Sequence, residues 1–136
     1  MAGYSGTPLV KKLGVKENSR LLLVDAPANF TEELIGLPAG AAVTTRIHDA
    51  IACAVVFVST EAQLNKQLAR LVPRLAPNGG LWLAWPKKAS KMPTDLDENI
   101  VQRIGLRTGL VDNKVCAINE VWSGLRFVIR LKDRPK

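Results

Sequence analysis

Arg20-Leu21-Leu22-Leu23-Val24-Asp25-Ala26-Pro27-Ala28-Asn29 is the stretch on which the reading of this chain turns. Residues 21–24 are apolar without alternation, the pattern of a strand covered on both faces in a parallel sheet. A nucleotide-binding sheet would run from here into glycines, whose bare backbone lets amides approach a phosphate or a ribose. In this chain Pro27 removes one amide, and Ala26 and Ala28 put side chains into the approach. The stretch argues for a fold more firmly than for an activity.

Working outward, the pattern of apolar strands and amphipathic helices continues. Residues 7–13 read as a short helix after a Gly-Tyr-Ser-Gly lead. Asn29 followed by Glu32 reads as the cap of a short helix ending near Gly36, and residues 43–47 as a second strand at a sheet edge. Residues 51–58 are the third strand and the most apolar. Thr60, with Gln63 three residues on, caps a helix predicted to reach about Leu75, with Leu64, Leu68, Leu71, Val72 and Leu75 at helical spacing. Pro77-Asn78-Gly79-Gly80 predicts a turn, and residues 81–85 a fourth strand stopped by Pro86. After a basic loop at residues 87–93, Thr94 and Asp95 cap a helix to about Arg107, with Leu96, Ile100, Val101 and Ile104 on its apolar face and Gly105 and Gly109 helping to end it. Residues 114–119 and 125–131 read as two last strands joined through a Ser123-Gly124 turn. The order predicts an α/β fold: a Rossmann-like three-layer sandwich whose mostly parallel sheet of about six strands ends in an antiparallel hairpin.

With 136 residues and 47% hydrophobic content the chain reads as one domain, residues 1–136, able to bury its own core. Its longest apolar run, residues 50–58, is far short of the roughly 20 residues of a membrane helix, and the amino terminus lacks a signal-peptide pattern. A cytoplasmic protein with no membrane partner is the expectation. Cys53 and Cys116 sit far apart in apolar stretches, which reads as two reduced thiols and no metal site. The net charge of +7 is uneven: residues 86–136 carry eleven Lys or Arg against six acids, residues 1–85 eight against six. Such an excess is usually solvated, yet it suits nucleic acid, nucleotides or acidic proteins.

Leu75-Ala76-Pro77-Asn78-Gly79-Gly80 leading into Leu81-Trp82-Leu83-Ala84-Trp85, then a helix and a final hairpin, resembles the class I methyltransferase architecture. That resemblance implies S-adenosylmethionine as cofactor, held by an acidic residue and a Gly-x-Gly loop after the first strand. Val24-Asp25 matches this motif and Ala26-Pro27-Ala28 departs from it; at the end of the second strand only Asp49 offers an acid for the ribose, and one strand-helix unit is missing. Closer in detail, the strings Gly3-Tyr4-Ser5-Gly6-Thr7-Pro8-Leu9, Trp85-Pro86-Lys87-Lys88-Ala89-Ser90 and Trp122-Ser123-Gly124-Leu125-Arg126 resemble a bacterial domain family that carries no assigned activity. That likeness implies a small stand-alone protein of methyltransferase-like fold.

Ligands of open parallel sheets bind beyond the carboxyl ends of the strands, where this order delivers Asp25, Ser59, Thr60, Lys87 and Lys88. With Trp85 and Ser90 from the same rim, these are the candidate ligand-binding residues. An anion fits where Lys87 and Lys88 meet the helix amino termini near Thr60 and Thr94; a merely solvated loop is the plainer reading. Trp85 and Trp122 adjoin basic residues and can stack on a base, although tryptophans so placed more often roof a core. His48 beside Asp49 has no nucleophile at a recognisable spacing, so no catalytic residue is named.

Three readings follow. The first is a non-catalytic binding or interaction module that takes an anionic or nucleotide-like ligand, or a protein partner, at the residue 85–91 rim. The second is a methyltransferase with atypical S-adenosylmethionine binding, Asp25 near the donor and Lys87 near the acceptor. The third is a nucleic-acid-binding protein that uses its carboxy-terminal basic surface. A hairpin at the sheet edge adds a homodimer to the expectations.

Overall fold

The computed structural model describes residues 7–134, so the Gly-Tyr-Ser-Gly lead lies outside the described residues. Six strands, β1 (Arg20–Val24), β2 (Ala42–Thr44), β3 (Ile51–Phe57), β4 (Leu75–Pro86), β5 (Leu110–Ala117) and β6 (Trp122–Ile129), form one sheet in the order β2-β1-β3-β4-β6-β5. β2, β1, β3 and β4 are parallel, while β6 runs antiparallel to both β4 and β5. The fold is the expected Rossmann-like α/β sandwich with antiparallel strands at its carboxy-terminal end.

The unbroken apolar runs have the meaning expected of them, because successive side chains enter opposite layers. On one face Leu22, Val24, Ala54, Val56, Leu81, Leu83, Leu125 and Phe127 pack beneath α2 (Glu61–Leu71) and α3 (Glu98–Arg107). On the other, Leu21, Leu23, Cys53, Val55, Phe57, Trp82 and Ala84 pack beneath α1 (Leu9–Leu13) together with Phe30, Leu34 and Ile118. α1 is too short to be stable by itself. Its last carbonyl, on Leu13, accepts the indole N–H of fully buried Trp82 at 3.0 Å and the Cys53 thiol at 3.5 Å.

Several expected boundaries move, each for a local reason. Pro77-Asn78-Gly79-Gly80 is not a turn between elements: it lies inside β4, where the register with β3 slips between Ile51 and Cys53. Its glycines serve close approach, since a Cβ on Gly79 would meet the Ile51 carbonyl and one on Gly80 the Arg126 guanidinium. Ser123-Gly124 likewise lies inside β6. The hairpin turns at residues 118–121, where the Asn119 side chain accepts from the amides of Val121 and Trp122, both at 2.9 Å. α2 stops at Leu71 because Pro73 cannot continue it, and a 3-10 turn, Val72–Arg74, carries the chain into β4. The segment after Asn29 is a 3-10 turn, Phe30–Glu33, with no side-chain cap, because Asn29 itself is left-handed at φ 67°. β2 is three residues long at the sheet edge, shorter than the 43–47 span. The cap of α3 is Asp97, whose carboxylate accepts from the Ile100 amide at 2.9 Å, rather than Thr94 or Asp95.

Gly105 lies within α3, not at its end, and lets the helix settle onto β6: a Cβ there would run into the Phe127 ring. Gly105→Ala should therefore lower stability by about 1–3 kcal/mol in urea unfolding, and Phe127→Leu in the same chain should return part of the loss. An unchanged midpoint would mean that α3 slides freely over β6.

Candidate functional site

The carboxyl end of β1 opens into a cavity of about 460 Å³ lined by Asp25, Ala26, Pro27, Asn29, Thr31, Thr45, Ile47 and Arg70, among others. The turn that glycines make in other sheets is made here by Asp25 at φ 56° and Asn29 at φ 67°, two residue types whose short polar side chains tolerate the left-handed region. Between them Pro27 has no N–H, and its carbonyl accepts the Phe30 amide at 3.1 Å.

Asp25 belongs to a chain of side chains that crosses to α2. Its carboxylate accepts from Gln67 Nε2 at 3.1 Å, and Gln67 Oε1 accepts from Arg70 Nη1 at 2.8 Å. Among the described residues Gln67 is the sole buried polar side chain, 5% exposed. Buried amides need partners on both ends, and this one has them. The relay gives the cavity an acid and a guanidinium with a fixed spacer between them. Sequence patterning alone singles out neither Gln67 nor Arg70. The signal for Gln67 was a polar residue inside the Leu64, Leu68, Leu71 stripe, and Arg70 follows it one helical turn later.

The other candidates divide between the rim and the interior. Ser59 and Thr60 follow β3, but their groups serve the amino terminus of α2. Thr60 Oγ1 accepts the Gln63 amide at 3.1 Å, and Gln63 Oε1 accepts the Ser59 amide at 2.8 Å and its hydroxyl at 3.2 Å. Thr94 and Asp95 reach across to the same place. Thr94 donates its hydroxyl to the Ser59 carbonyl at 2.6 Å, and the Asp95 carboxylate accepts the Glu61 amide at 2.8 Å. The protein's own carboxylate thus holds the position at which an anion was expected to meet helix amides. Trp85 is 5% exposed and packs in the α2 and α3 layer. Lys87 continues β4, its amide bonded to the Val121 carbonyl at 2.8 Å. Lys88 opens a 3-10 turn, Lys88–Ser90, and the Ser90 hydroxyl donates to the Lys87 carbonyl at 2.6 Å. Of the seven, Asp25 alone lines the cavity.

These residues do not fit S-adenosylmethionine as a glycine loop would hold it. Ala26 and Pro27 occupy the approach, and Thr45 and Ile47 stand after β2 where a ribose would need a carboxylate. Asp49 is engaged with Arg74 at 3.1 Å, and the His48 ring lies 3.0 Å from the Arg46 carbonyl. Among the described residues no group of three His, Cys, Asp or Glu is placed to hold a metal ion, and no helix is long and apolar enough to cross a membrane.

The thiols differ in setting. Burial pushes the Cys53 thiol up from the ordinary 9.0 to about 11, against a smaller pull from Arg126. Burial also raises Cys116, opposed by Lys12, Lys114 and Lys87. A thiol whose pKa is raised on folding stabilises the fold fully below its unfolded value, and that contribution is lost as pH rises through the folded value. Wild-type stability, measured by urea unfolding, should therefore drop relative to Cys53→Ala by about 2 kcal/mol between pH 9 and 11. Parallel pH profiles for the two proteins would contradict this.

No protein-family model matches the sequence, and no curated protein does. Among solved structures, LepI in complex with SAM is similar over 91% of this chain at 12% identity and a TM-score of 0.50. A LepI variant in complex with SAH and a substrate analogue is similar over 91% at 12% identity and a TM-score of 0.53. A ribosomal protein L11 methylase from Lactobacillus delbrueckii subsp. bulgaricus matches over 82% of this chain and 58% of its own at 13% identity, with a TM-score of 0.46. The chain spans 47% of the length of the LepI structures. The likeness is one of fold, a Rossmann-like α/β sheet.

Proposed function

We propose that this chain is a non-catalytic binding module on a methyltransferase-like fold, and that it takes a small anionic, nucleotide-like ligand in the cavity beside β1. The observation that carries the reading is the Asp25–Gln67–Arg70 relay at the mouth of that cavity. A guanidinium suits a phosphate or carboxylate, and a carboxylate suits a ribose hydroxyl or an amine. The volume of about 460 Å³ falls in the range of small-molecule sites. The position, beyond the carboxyl ends of β1 and β2 and next to the point where the strand order reverses, is where open α/β sheets receive ligands. Ala26, Pro27 and Ala28 favour a ligand other than S-adenosylmethionine, because they close the approach that its carrier loop leaves open.

Calorimetric titration separates this from the methyltransferase reading. SAM and SAH, the compounds held in the LepI structures, should bind weakly or not at all, whereas adenosine monophosphate should bind and lose about tenfold in affinity in Arg70→Ala. Tight binding of SAM, or adenosine monophosphate binding unaltered by Arg70→Ala, would overturn the proposal.

A further inference from the structure

We infer that the sheet face carried by β4, β6 and β5 on the side of α1 binds single-stranded nucleic acid. Register defines this face. Opposed residues of an antiparallel pair share a side, so Trp82 and Ala84 of β4, Trp122, Gly124 and Arg126 of β6, and Lys114 and Cys116 of β5 lie together. The two long helices are both on the other side, where Gly105 of α3 meets Phe127. α1 is held over Trp82 by the Leu13 carbonyl, so among the described residues no helix covers β6 and β5 here.

Cations converge on this face from four segments. Lys114 and Arg126 are opposed across β5 and β6. Lys12 precedes the Leu13 anchor on α1, and Lys87 extends β4 beside the β5–β6 turn; both lie near enough to act on the Cys116 thiol. The Arg126 guanidinium lies over Gly80, half-buried. Among the described residues neither it nor Lys114 has a hydrogen-bond or ion-pair partner. Two nearby carboxylates look elsewhere. Asp112 is opposed to Phe127 on the α3 side and accepts from Gln102 at 3.2 Å, and Glu33 accepts from Asn119 at 3.1 Å at the upper rim.

An aromatic completes the surface. Trp122 is half-buried, packed against the layer beneath α1 and edge-on to Phe57 with ring centroids 5.0 Å apart, and stands on the same strand face as Arg126, separated from it by Gly124 and the Ile118 side chain above it. An open sheet face that interleaves cations with an aromatic binds single strands by phosphate contact and base stacking. An acidic peptide would use the cations but not the part of the Trp122 ring left exposed beyond its packing on Phe57.

The test is fluorescence anisotropy with fluorescein-labelled oligo(dT) and oligo(U) of about 15 nucleotides. Four phosphate contacts predict affinity falling about 50-fold between about 50 and 200 mM salt. Lys114→Glu combined with Arg126→Gln should cost about tenfold or more. Lys66→Glu combined with Arg103→Gln makes the same charge change on exposed positions of α2 and α3 and should leave binding within about twofold. Lys12→Ala with Lys114→Ala stands in if the first pair does not fold by near-ultraviolet circular dichroism. Oligo(dT) should also quench tryptophan fluorescence, and Trp122→Phe should remove the quench, because Trp82 and Trp85 are buried. No binding at low salt, equal loss in both charge variants, a quench retained in Trp122→Phe, or equal affinity for poly-glutamate would each overturn the inference.

Discussion

The hydrogen bond from the Trp82 indole to the Leu13 carbonyl, 3.0 Å long and fully buried, is the contact on which the architecture of one whole face depends. A tryptophan sealed in a core must give its N–H a partner, and a helix end must give its last carbonyls donors. Each need answers the other. Because α1 has five residues, packing and this bond hold it in place rather than helical propensity. Gly14, left-handed at φ 81°, then lets the Val15 amide reach back to the Val10 carbonyl at 3.2 Å and closes the helix. Fixing Leu13 also fixes Lys12, and so sets the charge that faces β5 and β6.

β4 is the second organising element, parallel to β3 on one side and antiparallel to β6 on the other. The crossover helices α2 and α3 both fall on one face, leaving α1 to cover the first half of the opposite face only. The half that no helix covers has a small or polar floor: Gly124, shielded by the Ile118 side chain, and Lys114 and Arg126 need no helix above them, whereas Ser123, Leu125 and Phe127, one residue out of phase, lie on the α3 side. The alternation along β6 is therefore a record of which face has a helix.

The fold was legible because burial on both faces leaves an unmistakable pattern. Residues 21–24 and 51–58 carry runs that only a doubly covered strand requires, and Leu64, Leu68 and Leu71 mark the stripe of α2. Less was legible where one residue type serves two purposes. Gly79, Gly80 and Gly124 read as turn residues, yet they are required for close approach to Ile51, Arg126 and Ile118. Thr94 and Asp95 read as a cap for the helix that follows, and their partners lie 34 and 35 residues upstream, at Glu61 and Ser59. Spacing rules see only local partners, so a cap supplied from across the rim leaves no local signature. The candidate site suffered most from this. Asp25 was recognisable from its place after β1, but the relay through Gln67 and Arg70 exists only once α2 is folded against it.

Closing the α2 terminus with Asp95 bears on where a ligand can go. Helix amides attract anions only while they are free. Here the Ser59, Glu61 and Gln63 amides already donate within the protein, to Gln63 Oε1, Asp95 Oδ1 and Thr60 Oγ1 in turn. The carboxyl ends of β3 and β4 are thus committed to joining α2 to the loop before α3, and the carboxyl end of β1 is left with the open space. There the sheet stops at the three-residue strand β2, and among the described residues no strand stands beyond it. The single connection between β1 and β2, residues 25–41, carries a 3-10 turn in place of a full helix, and Thr31 and Thr45 stand at the walls of that corner. A corner made this way does not depend on glycine amides for its chemistry. It depends on side chains, and Arg70 is the cation among them.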